Sequence, residues 1–306
     1  MGLSTILLTI LGLGAFETVS SIDNAVINAD VLSTMSAKGR RWFLLWGMLF
    51  AVFIIRGLLP WLIVYAAAPQ LGFTGSFVAA FSSDPVVAGA LEQSAPVLLL
   101  GGGTFLIFLF FHWLFLEPKN FALWGESFLQ RQGAWFYAVA SVVLAAIVWF
   151  ALQQDPLAAF GAVIGSSLFF ITHGFKQNAE ATERRLMGRH LTDAAKILYL
   201  EIIDSTFSID GVLGAFAFTF SVPLIIIGNG LGAWVVRRLT VGNIGRIKKY
   251  LYLKNGAMYS ILCLGAIMIA DGFGLHIPEW LSPVVTLAII GYFYLKSRAR
   301  LQASPA

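Results

Sequence analysis

Long apolar runs separated by short polar connections set the character of this chain. Nine runs approach twenty residues, near 3–29, 42–68, 96–116, 135–153, 157–175, 194–220, 222–237, 256–275 and 281–296. About twenty apolar residues in helical conformation cross the hydrocarbon of a bilayer. The pattern therefore predicts an all-α polytopic membrane protein with about nine transmembrane helices, the seventh and ninth short. The first run has no basic segment before it, and Glu17 interrupts it. It reads as a span and not as a cleavable signal. The polar-leaning stretches are loops, and no soluble domain is expected.

Composition narrows the class. The 306 residues are 58% hydrophobic and 12% charged, with mean hydropathy +0.81. A soluble domain of this length needs more polar surface than that. The single cysteine, Cys263, excludes an internal disulfide framework and a cysteine-cluster metal site. It reads as a small core residue.

Basic residues orient the spans. Nineteen of the twenty Lys and Arg fall in alternate connections, from Lys38, Arg40 and Arg41 to Lys296, Arg298 and Arg300. The connections between these, near 69–95, 154–156, 221 and 276–281, carry none. Because cytoplasmic loops hold the excess of Lys and Arg, the N-terminus is expected outside and the C-terminus in the cytoplasm. The same bias accounts for the net charge of +4 and implies no nucleic-acid partner. The partner expected is the lipid bilayer, most simply a bacterial inner membrane. Arg56, inside the second run, is the exception.

Two segments repeat. Glu17-Thr-Val-Ser-Ser-Ile-Asp23-Asn24 matches Asp204-Ser-Thr-Phe-Ser-Ile-Asp210-Gly211, and Arg56-Gly-Leu-Leu-Pro-Trp61 matches Asn229-Gly-Leu-Gly-Ala-Trp234 in the same order. The first motif lies on span one and the second on span six, which run in opposite directions, so the repeat is inverted. Residues 1–116 form the first repeat (spans 1–3) and 194–275 the second (spans 6–8). Residues 117–193 carry the connecting spans 4 and 5 with basic loops. Residues 276–306 form the last span and tail. Inverted repeats recur in secondary transporters, with the substrate between the halves.

The candidate chemistry is acidic. Glu17, Asp23, Glu201, Asp204 and Asp210 lie within spans, and each costs about 2.5–3.5 kcal/mol as a charge at the centre of a span. They must face one another, water, protons or a cation. On a straight helix Glu17 and Asn24 share a face, as do Glu201, Asp204 and Ser208. The paired acids six residues apart point about 120° apart, so both face one ion only if the helix breaks between them. Ser20-Ser21 and Gly211 with Gly214 are the places for such breaks. The donor set of carboxylates, Asn24, Asn28, Ser21, Ser208 and carbonyls suits a hard divalent cation such as Mn²⁺, Mg²⁺ or Ca²⁺. Arg56 is expected to pair with one acid. Asp271 lies nearer an outer end, and Asp30 reads as a solvated helix end. His112, His173 and His276 sit on different spans without paired spacing and read as hydrogen-bonding residues, while His190 belongs to a basic loop. The outer stretch 69–96 holds Asp84 and Glu92, read as solvated acids. Its Phe73, Phe77 and Phe81 predict a helix lying on the membrane or on other spans.

These motifs resemble those of TerC-family integral membrane proteins. The resemblance rests on Ser21-Ile-Asp23-Asn24 after Glu17, on Glu201-Ile-Ile-Asp204 with Ser-Ile-Asp210, on Arg56 and Asn229, and on Tyr252-Leu-Lys-Asn-Gly256. It covers both repeats. It implies an exporter of the LysE type, associated with manganese export and tellurium resistance, and it makes Glu17, Asp23, Asn24, Asp204 and Asp210 ion-binding residues. That family usually follows the second aspartate with Ser, a branched residue and Pro. Here Gly211-Val-Leu-Gly214 follows, which marks a divergent branch.

The expected function is secondary transport of a divalent cation, Mn²⁺ first, outward and coupled to protons or another counter-ion. The cation is substrate, with no cofactor and no enzymatic reaction. Two other classes stand beside it. An intramembrane aspartyl hydrolase would use Asp23 and Asp210 as a proton-sharing dyad. A non-transporting assembly factor would tolerate substitution of either aspartate.

Overall fold

The computed structural model describes residues 2–47, 49–50, 56–67, 69–81, 85–119, 121–123, 125–186, 192–247 and 249–303. All regular structure among them is helical. In chain order the helices are α1 (Leu3–Ser20), α2 (Ile22–Ser33), α3 (Ala37–Trp42), α4 (Arg56–Ala67), α5 (Gly72–Phe81), α6 (Pro85–Leu116), α7 (Glu126–Arg131), α8 (Trp135–Leu152), α9 (Pro156–Leu186), α10 (Asp193–Ala215), α11 (Val222–Ile247), α12 (Leu253–Gly272) and α13 (Leu281–Ala303). A π-helical turn, Phe43–Gly47, follows α3, and a 3₁₀ turn, Pro69–Leu71, precedes α5.

Local chemistry sets several of these boundaries. α6 and α9 open on Pro85 and Pro156, where a proline's missing N–H costs nothing. Ser36 caps α3 by accepting from the Gly39 N–H, and Thr192 caps α10 by accepting from Ala195. The long terminal apolar runs need no cap chemistry, because their stability comes from packing and from the backbone's need for internal hydrogen bonds away from water.

Among the described residues five helical segments are long and apolar enough to cross a membrane: Leu3–Ser20, Ser94–Leu116, Trp135–Leu152, Pro156–Gln177 and Leu253–Gly272. The other expected spans fall on α4, α10, α11 and α13, where acids, basic residues or a short helix dilute the run. The second expected span, 42–68, is divided between the end of α3, the π turn and α4, and residues 48 and 51–55 lie outside the described ones. Large apolar side chains line the outside of the bundle, including Leu3, Leu7 and Leu11 on α1 and Trp149 and Phe150 on α8. That surface suits lipid and not water.

The centre is α6. An 18-residue stretch of its 94–116 segment is 83% buried, whereas the α8 span is 22% buried, so α6 is the pillar and α8 an outer element. Phe105, Phe108, Phe110 and Trp113 fill the core around it with Phe136 of α8 and Phe169 of α9. The run Gly101-Gly102-Gly103 lets two helices touch its backbone. On one side α9 runs parallel, with Gly161 against Val97 and Gly165 against Gly101. On the other α12 runs antiparallel, with Gly265 against Gly103 and Gly272 against Leu100. A Cβ on Gly165 would stand 2.0 Å from the Gly101 carbonyl oxygen, which leaves no room for any side chain.

Around this pillar the two repeated segments pack crosswise. α1 runs parallel to α11, with Leu13 against Gly228 and Glu17 against Gly232. α10 crosses α1 antiparallel, with Gly211 against Glu17 and Gly214 against Phe16. α10 also packs on α4, and α4 lies antiparallel to α11, with Gly57 against Ile226 and Trp61 beside Val222. α5 folds over α4, placing Phe73 and Phe77 at 4.4 and 5.5 Å from the Trp61 ring centroid. The phenylalanine-spaced segment is thus a helix lying on another helix.

Gly165→Ala should lower stability by about 1–3 kcal/mol, the usual range for overpacking a close contact. Gly291→Ala, which meets nothing within 4 Å, should not. Thermal unfolding in detergent would separate the two variants.

Candidate functional site

The first motif sits at a helix break. Thr18, Ser20 and Ser21 all turn hydroxyls onto local acceptors: Thr18 donates to the Gly14 carbonyl and Ser20 to the Glu17 carbonyl. The Ser21 Oγ donates to Glu17 Oε1 at 2.6 Å. Side chains that compete for the backbone favour helix ends, and here α1 stops at Ser20 and α2 begins at Ile22. Glu17 is left at the end of α1, only 1% exposed. Gly232 of α11 and Gly211 of α10 admit it, since a Cβ on Gly211 would stand 2.7 Å from Glu17 Oε2.

The second motif behaves differently. α10 runs unbroken through Gly211 and Gly214, against the break expected there. The two glycines instead make room for Glu17 and Phe16. Asp204 and Ser208 lie on one face as their spacing requires, and Ser208 Oγ donates to the Asp204 carbonyl at 2.6 Å. Ser21 of the first motif thus bonds a carboxylate, whereas Ser208 of the second bonds the backbone.

The halves meet in one small cavity of about 20 Å³, room for about one water-sized centre. Glu17, Ser21 and Asn28 face it from the N-terminal half, and Asp204 and Arg237 from the C-terminal half. The Arg237 guanidinium is 3.7 Å from Asp204 Oδ2, donates to the Phe43 carbonyl at 2.7 Å and lies over the Phe43 ring.

Other expected residues stand apart from that cavity. Asp210 pairs with Lys176 of α9 at 2.5 Å, through Oδ2. Glu201 lines a separate, larger groove of about 560 Å³ between α3, the π turn and the start of α10, beside Trp42 and Phe50. Asn229 is fully buried on α11, three residues before Gly232. Asp23 and Asn24 lie on α2 and Arg56 opens α4, but their side chains fall outside the described ones, as do those of Asp30, Asp84, Glu92 and His190. Six buried polar atoms of the expected set have no hydrogen-bond partner among the described residues: Asn28 Oδ1, both Glu201 oxygens, Asp210 Oδ1 and both Asn229 amide atoms. Buried polar groups are rarely left so. Also among the described residues, no cluster of three or more His, Cys, Asp and Glu is arranged to hold a metal ion.

Two cations and one acid were hidden in the sequence. Lys176 and Arg237 read as loop residues, yet both side chains lie within the packed helices. The signal was their place on helices α9 and α11, which continue past the apolar run. Glu126 read as a loop residue and is 2% exposed. It accepts from Asn255 Nδ2, the Tyr259 hydroxyl and the Leu123 N–H. Tyr252-Leu-Lys-Asn-Gly256 thereby gains a physical role. Asn255 holds Glu126, Lys254 holds Glu117 at 2.5 Å, and the Tyr252 hydroxyl accepts from Arg300. Burial works to raise the Glu117 carboxyl, but His112 and Lys254 outweigh it and hold it at about 2. Burial pushes the nearby Lys119 ammonium down to about 8, against the pull of Glu117 and Glu126. The scattered histidines also prove to be neighbours. His112 of α6 and His173 of α9 have ring centroids 3.6 Å apart.

A family model described as "Protein of unknown function (DUF475)" matches residues 22–303. The chain belongs to the DUF475 family. No curated protein and no solved structure gives a match. The matched region contains α2 to α13, and so every site residue above except Glu17 and Ser21.

Two outcomes follow. Arg237→Met removes the guanidinium from a buried Asp204 charge and should cost about 3 kcal/mol of stability, partly restored in Asp204→Asn, Arg237→Met. Denaturation of the single and double variants checks this. Glu117, with its lowered value, contributes stability above the ordinary carboxylate range, lost as pH falls from about 4.5 towards 2. The unfolding temperature should drop over that window, and less so in Lys254→Met.

Proposed function

We propose that this chain is a secondary transporter that exports a divalent cation, Mn²⁺ first among candidates, through carboxylates between two inverted repeats. The observation that carries the reading is the shared cavity. Glu17, Ser21 and Asn28 from one repeated segment and Asp204 from the other line one space of single-ion size. Oxygen donors converging from two helix pairs suit a hard cation. The orphaned Asn28 oxygen, which lines the same cavity, supplies further ligand capacity.

The packing of the repeated segments supports the rest. α1 against α11 and α10 against α4 exchange equivalent helices between the halves. α10 runs opposite to α1, as inverted repeats require. The charge bias of the connections gives the sides, with the N-terminus outside, and the count of about nine spans in a cytoplasmic membrane. The TerC-like motifs give the outward direction and the choice of manganese. Proton coupling fits a site built of carboxylates.

Lys176 and Arg237 refine the mechanism. Two acids hold internal cations when no ion is bound, so an arriving divalent ion must displace an ammonium or guanidinium.

Calorimetric titration of Mn²⁺, Ca²⁺, Mg²⁺ and Zn²⁺ into the purified protein tests the site. Saturable binding, lost in Glu17→Gln, Asp204→Asn, is the expected result, and the ions should rank with Mn²⁺ first. Absence of binding by any of the four would end the divalent-cation reading.

A further inference from the structure

We infer that the groove between α3, the π turn and α10 binds an organic monocation with an apolar body, held through Glu201. The inference stands apart from the transport reading, because Glu201 does not line the cavity of Glu17 and Asp204.

Glu201 is the anchor. It is 9% exposed, and neither carboxylate oxygen has a hydrogen-bond partner among the described residues. A buried carboxylate without donors is costly. The other three acids of α10 each have a partner. Asp193 accepts from the Ser36 hydroxyl and N–H, Asp204 stands 3.7 Å from the Arg237 guanidinium, and Asp210 pairs with Lys176. Of the charges near Glu201, Asp204 repels it more strongly than Arg237 attracts it. The chain thus leaves this one carboxylate short of positive charge.

The backbone is shaped around the same side chain. α3 ends at Trp42, and the π turn Phe43–Gly47 brings Gly47 against Glu201. A Cβ on Gly47 would stand 2.1 Å from Glu201 Oε1, so only glycine leaves room for the carboxylate there. π turns are rare and recur at functional sites.

The walls define the ligand. The groove holds about 560 Å³, and pockets of about 300–1,000 Å³ take drug-sized molecules. Ile197 and Leu198 of α10 line it with Trp42 and Phe50, and Trp42, Phe50 and Leu198 are exposed at its rim. Apolar walls alone would accept a lipid chain. A buried carboxylate among them favours a positive charge instead, and indole is the best aromatic face for a cation. Lys38 is the one basic residue of the lining, against the two acids Asp193 and Glu201. A bare divalent ion does not suit the groove. Such ions take about six or more oxygen ligands, and Asp193 and Glu201 are separated by a rise of about 12 Å along α10. One carboxylate and an apolar cover are what an organic monocation requires.

The test uses radiolabelled tetraphenylphosphonium, a monocation sheathed in apolar rings. It is dialysed to equilibrium against the purified full chain in dodecyl maltoside, at mildly alkaline pH, where carboxylates are ionised. Wild type should bind it saturably. Glu201→Gln, close in shape, should weaken binding about tenfold or more, and Trp42→Ala about fivefold. Leu198→Trp keeps the carboxylate and narrows the groove from an exposed position, and it should weaken binding as well. Glu17→Gln, in the other cavity, should bind as wild type does. Neutral triphenylphosphine oxide at matched concentration should not displace the cation. Four results would each overturn the proposal: no saturable binding, wild-type affinity in both Glu201→Gln and Leu198→Trp, an equal loss in Glu17→Gln, or displacement by the neutral oxide.

Discussion

A carboxylate inside an apolar helix bundle needs an opposite charge, and the arrangement of this protein follows from that need. Asp204 and Asp210, two turns apart on α10, each draw a basic side chain inwards. Arg237 comes from α11 and Lys176 from α9, so the two ion pairs tie α10 to neighbours on both sides. Breaking a buried pair by removing one member costs far more than an exposed one. The two pairs lie on faces of α10 about 120° apart, so together they fix its rotation. Its apolar residues then fall where the core needs them, with Leu213 beside Gly102 and Val212 fully buried.

Glycine placement completes the frame. The bundle approaches itself closely at the α6 crossings and where Glu17 enters between α10 and α11. At the second place a helix surface gives up two side chains so that a third, charged one can fit. An apolar residue at Gly211 would fill the cavity side that Glu17 occupies, and the two halves of the protein would then meet through hydrocarbon alone. The Glu117–Lys254 and Glu126–Asn255 contacts perform a similar service at the other end of α6 and α12, where the chain leaves the bundle.

Much of this was legible in the order of residues. Apolar runs located the helices because length and composition decide that question almost alone. The repeated acid motifs drew attention to Glu17 and Asp204, and both line one cavity. What periodicity could not reveal was reach. Lys176 and Arg237 lie at the basic ends of their helices, and a four-carbon stem or a guanidinium can turn either to water or inwards. The same limit hid Glu126, whose partners Asn255 and Tyr259 lie more than a hundred residues away. The expected break in α10 failed for a related reason. Glycine permits a break but does not require one, and here the neighbouring Glu17 and Phe16 used the space first. The histidines show the reverse error, since positions on different helices carry no spacing rule, and contact between α6 and α9 alone brings them together.

The interruption at Ser21 makes the two halves mechanically unequal. α10 is a rod: bending it means giving up several internal hydrogen bonds in a medium that offers no replacement. Between α1 and α2 the Ser21 hydroxyl and backbone N–H are both engaged by Glu17, so the interruption is confined to one residue. Flexing there asks for a change in one turn only. The two repeated motifs thus sit differently: the first straddles a one-residue interruption between α1 and α2, and the second lies on one continuous helix.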